Sequence, residues 1–251
     1  MTFVKGYKMD DKVKKKIATS QLRNTNGFKK GYTPWNKNRH ERFVNHAYFK
    51  TWSSNMAYIL GYIATDGCLY PSNGIKITSI DVDILEKISQ EMQSTFKIGR
   101  HCAGAKHIQI YSEEIYNDLI INGITPRKSF TLKFPNIPLE YISHFIRGVF
   151  DGNGCVTQVN CGNSVAAWVS IASASKEFIK PLKAALNYMG LLGGNIYTRM
   201  PNKINGRTAP MYELSFKKYD SIKFYNIIYE NADIFLNRKK EKFDNILQKV
   251  L

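Results

Sequence analysis

No apolar run in the 251-residue sequence approaches the roughly 20 residues that a bilayer-spanning helix needs, and the N-terminal "MTFVKGYKMDDKVKKK" lacks the apolar core of a signal peptide. Secretion and membrane insertion are not expected; a reducing compartment fits, cytoplasmic in a prokaryote or phage, or else organellar. Cysteine is scarce. Cys68, Cys102, Cys155 and Cys161 show neither C-x-x-C spacing nor a neighbouring histidine pair, which argues against zinc and leaves buried free thiols as the expectation. Acids are outnumbered as well: 20 Asp and Glu against 36 Lys and Arg give a net charge of +16. With an ordinary 43% of apolar residues, that balance describes a folded protein with a polyanionic partner, most often nucleic acid.

The positive charge is unevenly placed. Residues 1–50 hold 13 Lys and Arg against three acids. Apart from a short helix expected over residues 10–22, this segment has few periodic apolar positions. Asn26-Gly27 and Thr33-Pro34 are turn signals, and Phe28, Tyr32 and Trp35 interleave with Lys29, Lys30 and Lys37, with Arg39 just beyond. It reads as a basic N-terminal arm whose lysines lie along nucleic acid and whose aromatics stack on it or pin the arm to the main body. A solubilising tail is the alternative.

From about residue 54 the pattern becomes regular. Helical spacing over 56–66 leads into the short runs "GCLY" and "IKITSI", then an amphipathic helix over 81–96, strands at 98–102 and 107–111, and a helix over 112–122. The order then recurs: a helix over 139–151, strands at 155–160 and 168–172, a helix over 175–189, strands at 195–200 and 212–217, and a helix over 220–229. A last helix is expected over 236–251. The shared order, α-β-β-α-β-β-α, predicts an α+β fold of two pseudo-symmetric halves, 51–138 and 139–251, offset by about 87 residues and packed about a two-fold axis in one monomer.

One motif anchors the repeat. "YILGYIATDGCLY" (58–70) aligns with "FIRGVFDGNGCV" (145–156) when Gly61 is laid on Gly148, which puts Gly67 on Gly154 and Cys68 on Cys155. A glycine inside an apolar helix costs about 1 kcal/mol against alanine, so a matched pair calls for a reason. Close approach supplies one: the two helices are expected to cross at Gly61 and Gly148 and form the interface between the halves. Gly67 and Gly154 then end the helices, bringing Asp66 and Asn153 side by side. Acidic groups near the axis of a basic protein suit Mg²⁺, or another divalent cation such as Mn²⁺ or Ca²⁺, which can activate water and stabilise a leaving oxygen. Asn153 breaks the match, offering an amide where the first copy has a carboxylate. Asp151 stands where the first copy has Ala64; residues two apart on a helix point about 200° apart, so Asp151 is expected to act as a capping or interface residue.

The pair "ILGYIATDG" (59–67) and "IRGVFDGNG" (146–154) resembles the two motifs of monomeric LAGLIDADG homing endonucleases, and the element order from about residue 51 onward is similar to that family's duplicated fold. The resemblance implies a saddle of two four-stranded antiparallel sheets along the DNA major groove, a long asymmetric duplex target, and Mg²⁺-dependent cleavage of both strands with short 3′ overhangs. It places metal-binding positions at Asp66 and Asn153, assisted by the backbone carbonyls of Thr65 and Gly152, and a basic residue near each scissile phosphate at Lys128 and Lys239. The arm resembles the small DNA-binding segments attached to many homing nucleases. The five histidines make no nuclease pattern.

Strand alternation nominates the base-reading residues. Ile75, Ile77, Ile108 and Ile110 are expected to face inward, leaving Lys76, Thr78, His107, Gln109 and Tyr111 outward; the second half offers Ser170, Asn195, Tyr197 and Arg199 in the same way. The loop "PNKINGRTAP", with Lys203 and Arg207, is expected to extend this surface over phosphates. Cleavage is expected to be impaired by Asn153 or reduced to nicking. The other reading is a non-cleaving binder on the same fold, either an RNA maturase or a DNA-binding regulator. Beginning at Met1 and ending in "QKVL", without a splicing domain's terminal residues, the sequence suggests a free-standing or intron-encoded protein.

Overall fold

The computed structural model describes residues 10–22, 42–162, 164–202, 206 and 208–250. Met1–Glu41 form one unit and Arg42–Leu251 another. In the first unit, helix α1 (Asp11–Leu22) starts where Asp10 Oδ1 accepts from Lys12 N at 3.1 Å. The second unit begins nine residues before the 51–138 half expected from the sequence. Val44 and Phe49 are buried in its core, and Phe43 and Asn45 hydrogen-bond to Thr95 and Met92.

The core of this second unit is built around two helices buried on nearly every side. In α2 (Ser54–Asp66), capped by Ser53 Oγ accepting from Met56 N at 3.1 Å, residues 56–64 are all buried. In α5 (Ile142–Asn153) the buried run is 144–151. A helix apolar on all faces must be surrounded, and here the surroundings are the partner helix and two sheets. The first sheet contains β1 (Gly67–Tyr70), β2 (Gly74–Ser79), β3 (Gly99–Arg100) and β4 (Lys106–Tyr111) in the order β1-β2-β4-β3. The second contains β5 (Gly154–Cys161), β6 (Ser164–Ser173), β7 (Asn195–Arg199) and β8 (Met211–Lys217) in the order β5-β6-β8-β7. All pairings are antiparallel. Helices α3 (Val82–Glu91), α4 (Glu113–Ile121), α6 (Lys176–Tyr188) and α7 (Tyr219–Tyr229) complete the repeat, and α8 (Asn237–Val250) follows. The fold is α+β with two pseudo-symmetric halves, in the element order read from the sequence.

Three local expectations change. The helix expected to reach residue 96 stops at Glu91, because Gln93 adopts a left-handed φ of 50° and redirects the chain. The strand expected at 98–102 shrinks to Gly99–Arg100, followed by a turn. Cys68, Cys102 and Cys155 are free as expected but exposed rather than buried. The glycine before each of Cys68 and Cys155 lies on the inward side of its strand, so alternation turns the thiol outward. No helix among the described residues is long and apolar enough to cross a membrane.

Candidate functional site

Helices α2 and α5 touch at their paired glycines, as the motif predicts. A Cβ on Gly61 would lie 2.2 Å from Phe145 O, and one on Gly148 would lie 2.0 Å from Tyr58 O. One turn onward, a Cβ on Gly152 would lie 1.9 Å from Thr65 Oγ1 and 3.5 Å from Asp66 Cγ, so the helix ends also meet directly. Asp66 and Asn153 lie at these ends but face different hollows. Asp66, Gly152, Lys239 and Arg238 line a cavity of about 290 Å³; Asn153, Thr65, Lys128 and Ser173 line another of about 310 Å³. There are thus two pseudo-equivalent sites, and the lysine in each comes from the opposite half to the motif residue beside it.

The two lysines cap the motif helices. Lys128 Nζ donates to Gly67 O. Lys239 Nζ donates to Asp151 O at 2.6 Å, Gly154 O at 2.7 Å and Phe150 O at 2.8 Å, with Gly152 O at 3.4 Å. A cation there satisfies orphan carbonyls and complements the negative helix end. Burial pushes both lysines below the usual ammonium range, opposed at Lys128 by Cys68 and Asp66 and at Lys239 mainly by Asp151 and Asp66. Burial likewise pushes the Asp66 carboxyl up, against the pull of Lys239, Tyr62 and Lys128.

The sites differ in charge. Beside Asp66, Arg238 forms a two-point ion pair with Asp81 of the first half, Nε to Oδ1 and Nη2 to Oδ2, each at 2.9 Å. At the equivalent helix start the second half has Ser175, which donates to Leu132 O at 2.6 Å. Three aspartates, Asp66, Asp81 and Asp151, and two cations, Lys239 and Arg238, therefore line the Asp66 cavity, whereas no carboxylate among the described residues lines the Asn153 hollow. Among the described residues no three His, Cys, Asp or Glu side chains converge on one point. A divalent ion beside Asp66 would therefore complete its shell with water and phosphate oxygens, which fits Mg²⁺. Of the two carbonyl positions expected to assist, Gly152 lines the Asp66 cavity and Thr65 the other.

Asp151 is the interface residue the spacing suggested. Its Oδ2 accepts from Tyr58 OH at 2.8 Å and from Leu236 N at 2.7 Å, joining α5 to α2 and to the segment that enters α8. Burial raises its carboxyl from 3.8 to about 6, opposed by Leu236, Tyr58, Lys239 and Arg147. Arg147, wholly buried, donates to Ile234 O, Ile228 O and His144 Nδ1. Because Asp151 titrates higher in the folded chain than in the unfolded one, the folded chain binds the extra proton between those values. This group's contribution to stability should therefore increase as pH falls from 7 toward 4, by up to about 3 kcal/mol. Asp151→Asn retains an acceptor oxygen but removes the titration, so urea melts across that range should show a weaker gain on acidification than the wild type. Parallel curves would mean that Asp151 does not titrate there.

The outward strand faces hold the nominated base readers. Ile75, Ile77, Ile108 and Ile110 are buried, while register aligns Lys76 with Gln109 and Thr78 with His107. Gln109 Nε2 donates to Tyr111 OH at 2.5 Å, and the His107 ring packs over Gly99. In the second sheet Ser170, Ser215 and Asn195 form one row, and Tyr197 pairs with Glu213. Arg199 forms an ion pair with Glu213 through Nε. Trp168 and Lys217, neighbours on this face with the Lys217 ammonium 4.3 Å from the Trp168 ring centre, were missed, although the alternation of "WVSIAS" puts Trp168 beside Ser170. The Arg238–Asp81 pair had no sequence signal, since its members lie 157 residues apart. Lys29, Lys30, Lys37, Arg39, Lys203 and Arg207 lie outside the described residues.

Residues 140–229 match the model of the LAGLIDADG-like domain. No curated protein sequence matches the chain. Solved structures do. I-SmaMI bound to uncleaveable DNA aligns at TM-score 0.54 and 11% identity, over 76% of this chain and 88% of that one. I-AabMI bound to uncleaved DNA aligns at 0.54 and 13%, with the same coverages. I-GzeII in complex with its DNA target aligns at 0.50 and 11%, over 79% and 89%. At such identities the likeness is one of fold: the body of this chain has the two-domain LAGLIDADG meganuclease fold, with a LAGLIDADG-like domain as its second half.

Proposed function

We propose that this chain, with its LAGLIDADG meganuclease fold, is a site-specific DNA endonuclease of the homing type. It would act as a monomer on a long asymmetric duplex and depend on Mg²⁺ or a similar divalent cation. The observation that carries this reading is the Asp66 cavity, where a carboxylate, a capping lysine and a braced arginine converge at the junction of the two helices. A divalent ion held by Asp66 would supply charge stabilisation to the scissile phosphate and its leaving oxygen. Lys239, fixed by its carbonyl contacts, would offer a cation beside that phosphate. Arg238 is oriented by Asp81 and adds a second positive group. I-SmaMI and I-AabMI have each been solved bound to DNA, one I-SmaMI structure with uncleaved DNA target in the presence of calcium ions, which supports both partner and cofactor classes.

Asn153 favours a second reading, a non-cleaving binder of DNA or of intron RNA. Selecting duplexes from a randomised library and incubating the winners with Mg²⁺ separates the two. A nick or break at a fixed position supports the nuclease; tight binding without scission, or tighter binding to RNA at equal salt, supports the binder.

Residues 42–50 belong to the body, so the arm is best removed at residue 41. Deleting residues 1–41 removes 11 Lys and Arg and should weaken duplex binding and flatten its salt dependence while leaving the preferred sequence unchanged, because phosphate contacts supply affinity and little base discrimination. Equal affinity at every salt concentration would mean that the arm does not clamp DNA.

A further inference from the structure

Glu213 raises a question about the second sheet. A carboxylate on a surface meant for a polyanion is repelled by phosphate unless it accepts from a base or holds a cation in place. Glu213 takes the second role. It lies on the outward face of β8, its side chain only 17% exposed, and pairs with Arg199 Nε from the adjacent strand; the Arg199 side chain is 55% exposed. With Nε committed to Glu213 and the side chain 55% exposed, the guanidinium keeps Nη1 and Nη2 as donors for an outside acceptor, with less side-chain freedom to lose on binding. Two parallel donors in a fixed plane match the O6 and N7 acceptors of guanine in the major groove.

Register locates the contact along the target. Arg199 pairs with Met211, and Met211 lines the Asn153 hollow, so Arg199 sits at the inner end of the sheet. Lys217 lies at the other end of β8, in the row of Trp168 and Thr157. An antiparallel strand and a duplex both rise about 3.4 Å per unit, so the six steps from Met211 to Lys217 span about six base pairs. The first half lacks this arrangement: His107 takes the place of Glu213 and Gly99 that of Tyr197.

Resting on the DNA reading above, we propose that Arg199, braced by Glu213, selects guanine at one inner base pair of the half-site read by the second sheet, and that the other half-site has no such requirement. Arg199 is a specificity residue and Glu213 its positioning residue. The test is selection of duplexes by the full chain from a randomised library, repeated with Arg199→Lys, on an exposed side chain, and the isosteric Glu213→Gln, both checked for unchanged melting. The wild type should prefer guanine in one inner column by about 5- to 150-fold over other bases. Arg199→Lys, which loses the planar fork, should flatten that column alone, and Glu213→Gln should weaken the same column in part. The proposal is overturned if Arg199→Lys lowers binding evenly across sequences, if the affected column is not guanine, or if Glu213→Gln alters a different column, as it would were Glu213 itself reading cytosine. A wild type with no duplex preference at all would overturn the DNA reading as well, which a failure confined to the Arg199 column would leave standing.

Discussion

In Mg²⁺, the chain as it stands should convert supercoiled plasmid bearing its target to nicked circles, and Asn153→Asp should convert the same plasmid to linear product. The amide keeps the shape of aspartate and one carbonyl oxygen, so folding and DNA affinity should not change. It lacks the negative charge that holds a divalent cation and offsets its dehydration. The two hollows sharpen the expectation: Asp66 shares its cavity with Lys239 and Arg238, while Asn153 shares its own with Lys128 and, among the described residues, no carboxylate. Each hollow would serve one strand. The strand served by Asp66 should be cut and the other spared, with second-strand cutting rising about 100-fold or more in Asn153→Asp, the scale of one preorganised electrostatic group. Asp66→Asn in the unaltered chain should abolish nicking, and Lys239→Ala should depress it far more than Lys128→Ala. Linearisation by the unaltered chain as fast as by Asn153→Asp would show that the amide is a working ligand and that charge at position 153 is not required.

The sequence disclosed this site unevenly, for physical reasons. Gly61 and Gly148 were readable because a glycine in a buried helix is costly and a matched cost implies a close approach, which is what the helices make. The isoleucines of β2 and β4 announced their inward face by strict alternation, and the outward set followed. The place of Asp66 and Asn153 was only half readable. Both close their helices as expected, but the direction each faces depends on how two helix ends interlock around Thr65 and Gly152, and no single-chain periodicity encodes that. The partners of Lys239 are backbone carbonyls some 85 to 89 positions away, invisible to any local pattern. Exposure of Cys68 and Cys155 could have been read from the strand parity of Gly67 and Gly154, but the general burial tendency of cysteine argued the other way.

Gly148→Ala should unfold the body at markedly lower denaturant, and its sign is diagnostic. On helix propensity alone, replacing a mid-helix glycine by alanine should stabilise by about 1 kcal/mol. Here the added methyl would meet Tyr58 O at 2.0 Å and Tyr62 N at 2.8 Å, both backbone atoms of α2, which cannot rotate away as a side chain could. The helices must separate instead, loosening a seam that includes the fully buried Tyr58, Tyr62, Phe145 and Phe150. Overpacking of this kind costs about 1 to 3 kcal/mol or more, and at about 2 to 4 °C per kcal/mol the melting temperature should fall by roughly 5 to 10 °C. Gly61→Ala, whose methyl would meet Phe145 O at 2.2 Å, should act alike. Nicking should be lost with stability or before it, because Lys239 takes its position from carbonyls at the end of α5 while Asp66 stands at the end of α2, and separating the helices moves one group away from the other. Urea melts and plasmid nicking measured on the same preparations would test both points. If Gly148→Ala melts at or above the wild type, the two helices do not meet backbone to backbone at these glycines, and the interface drawn through them is wrong.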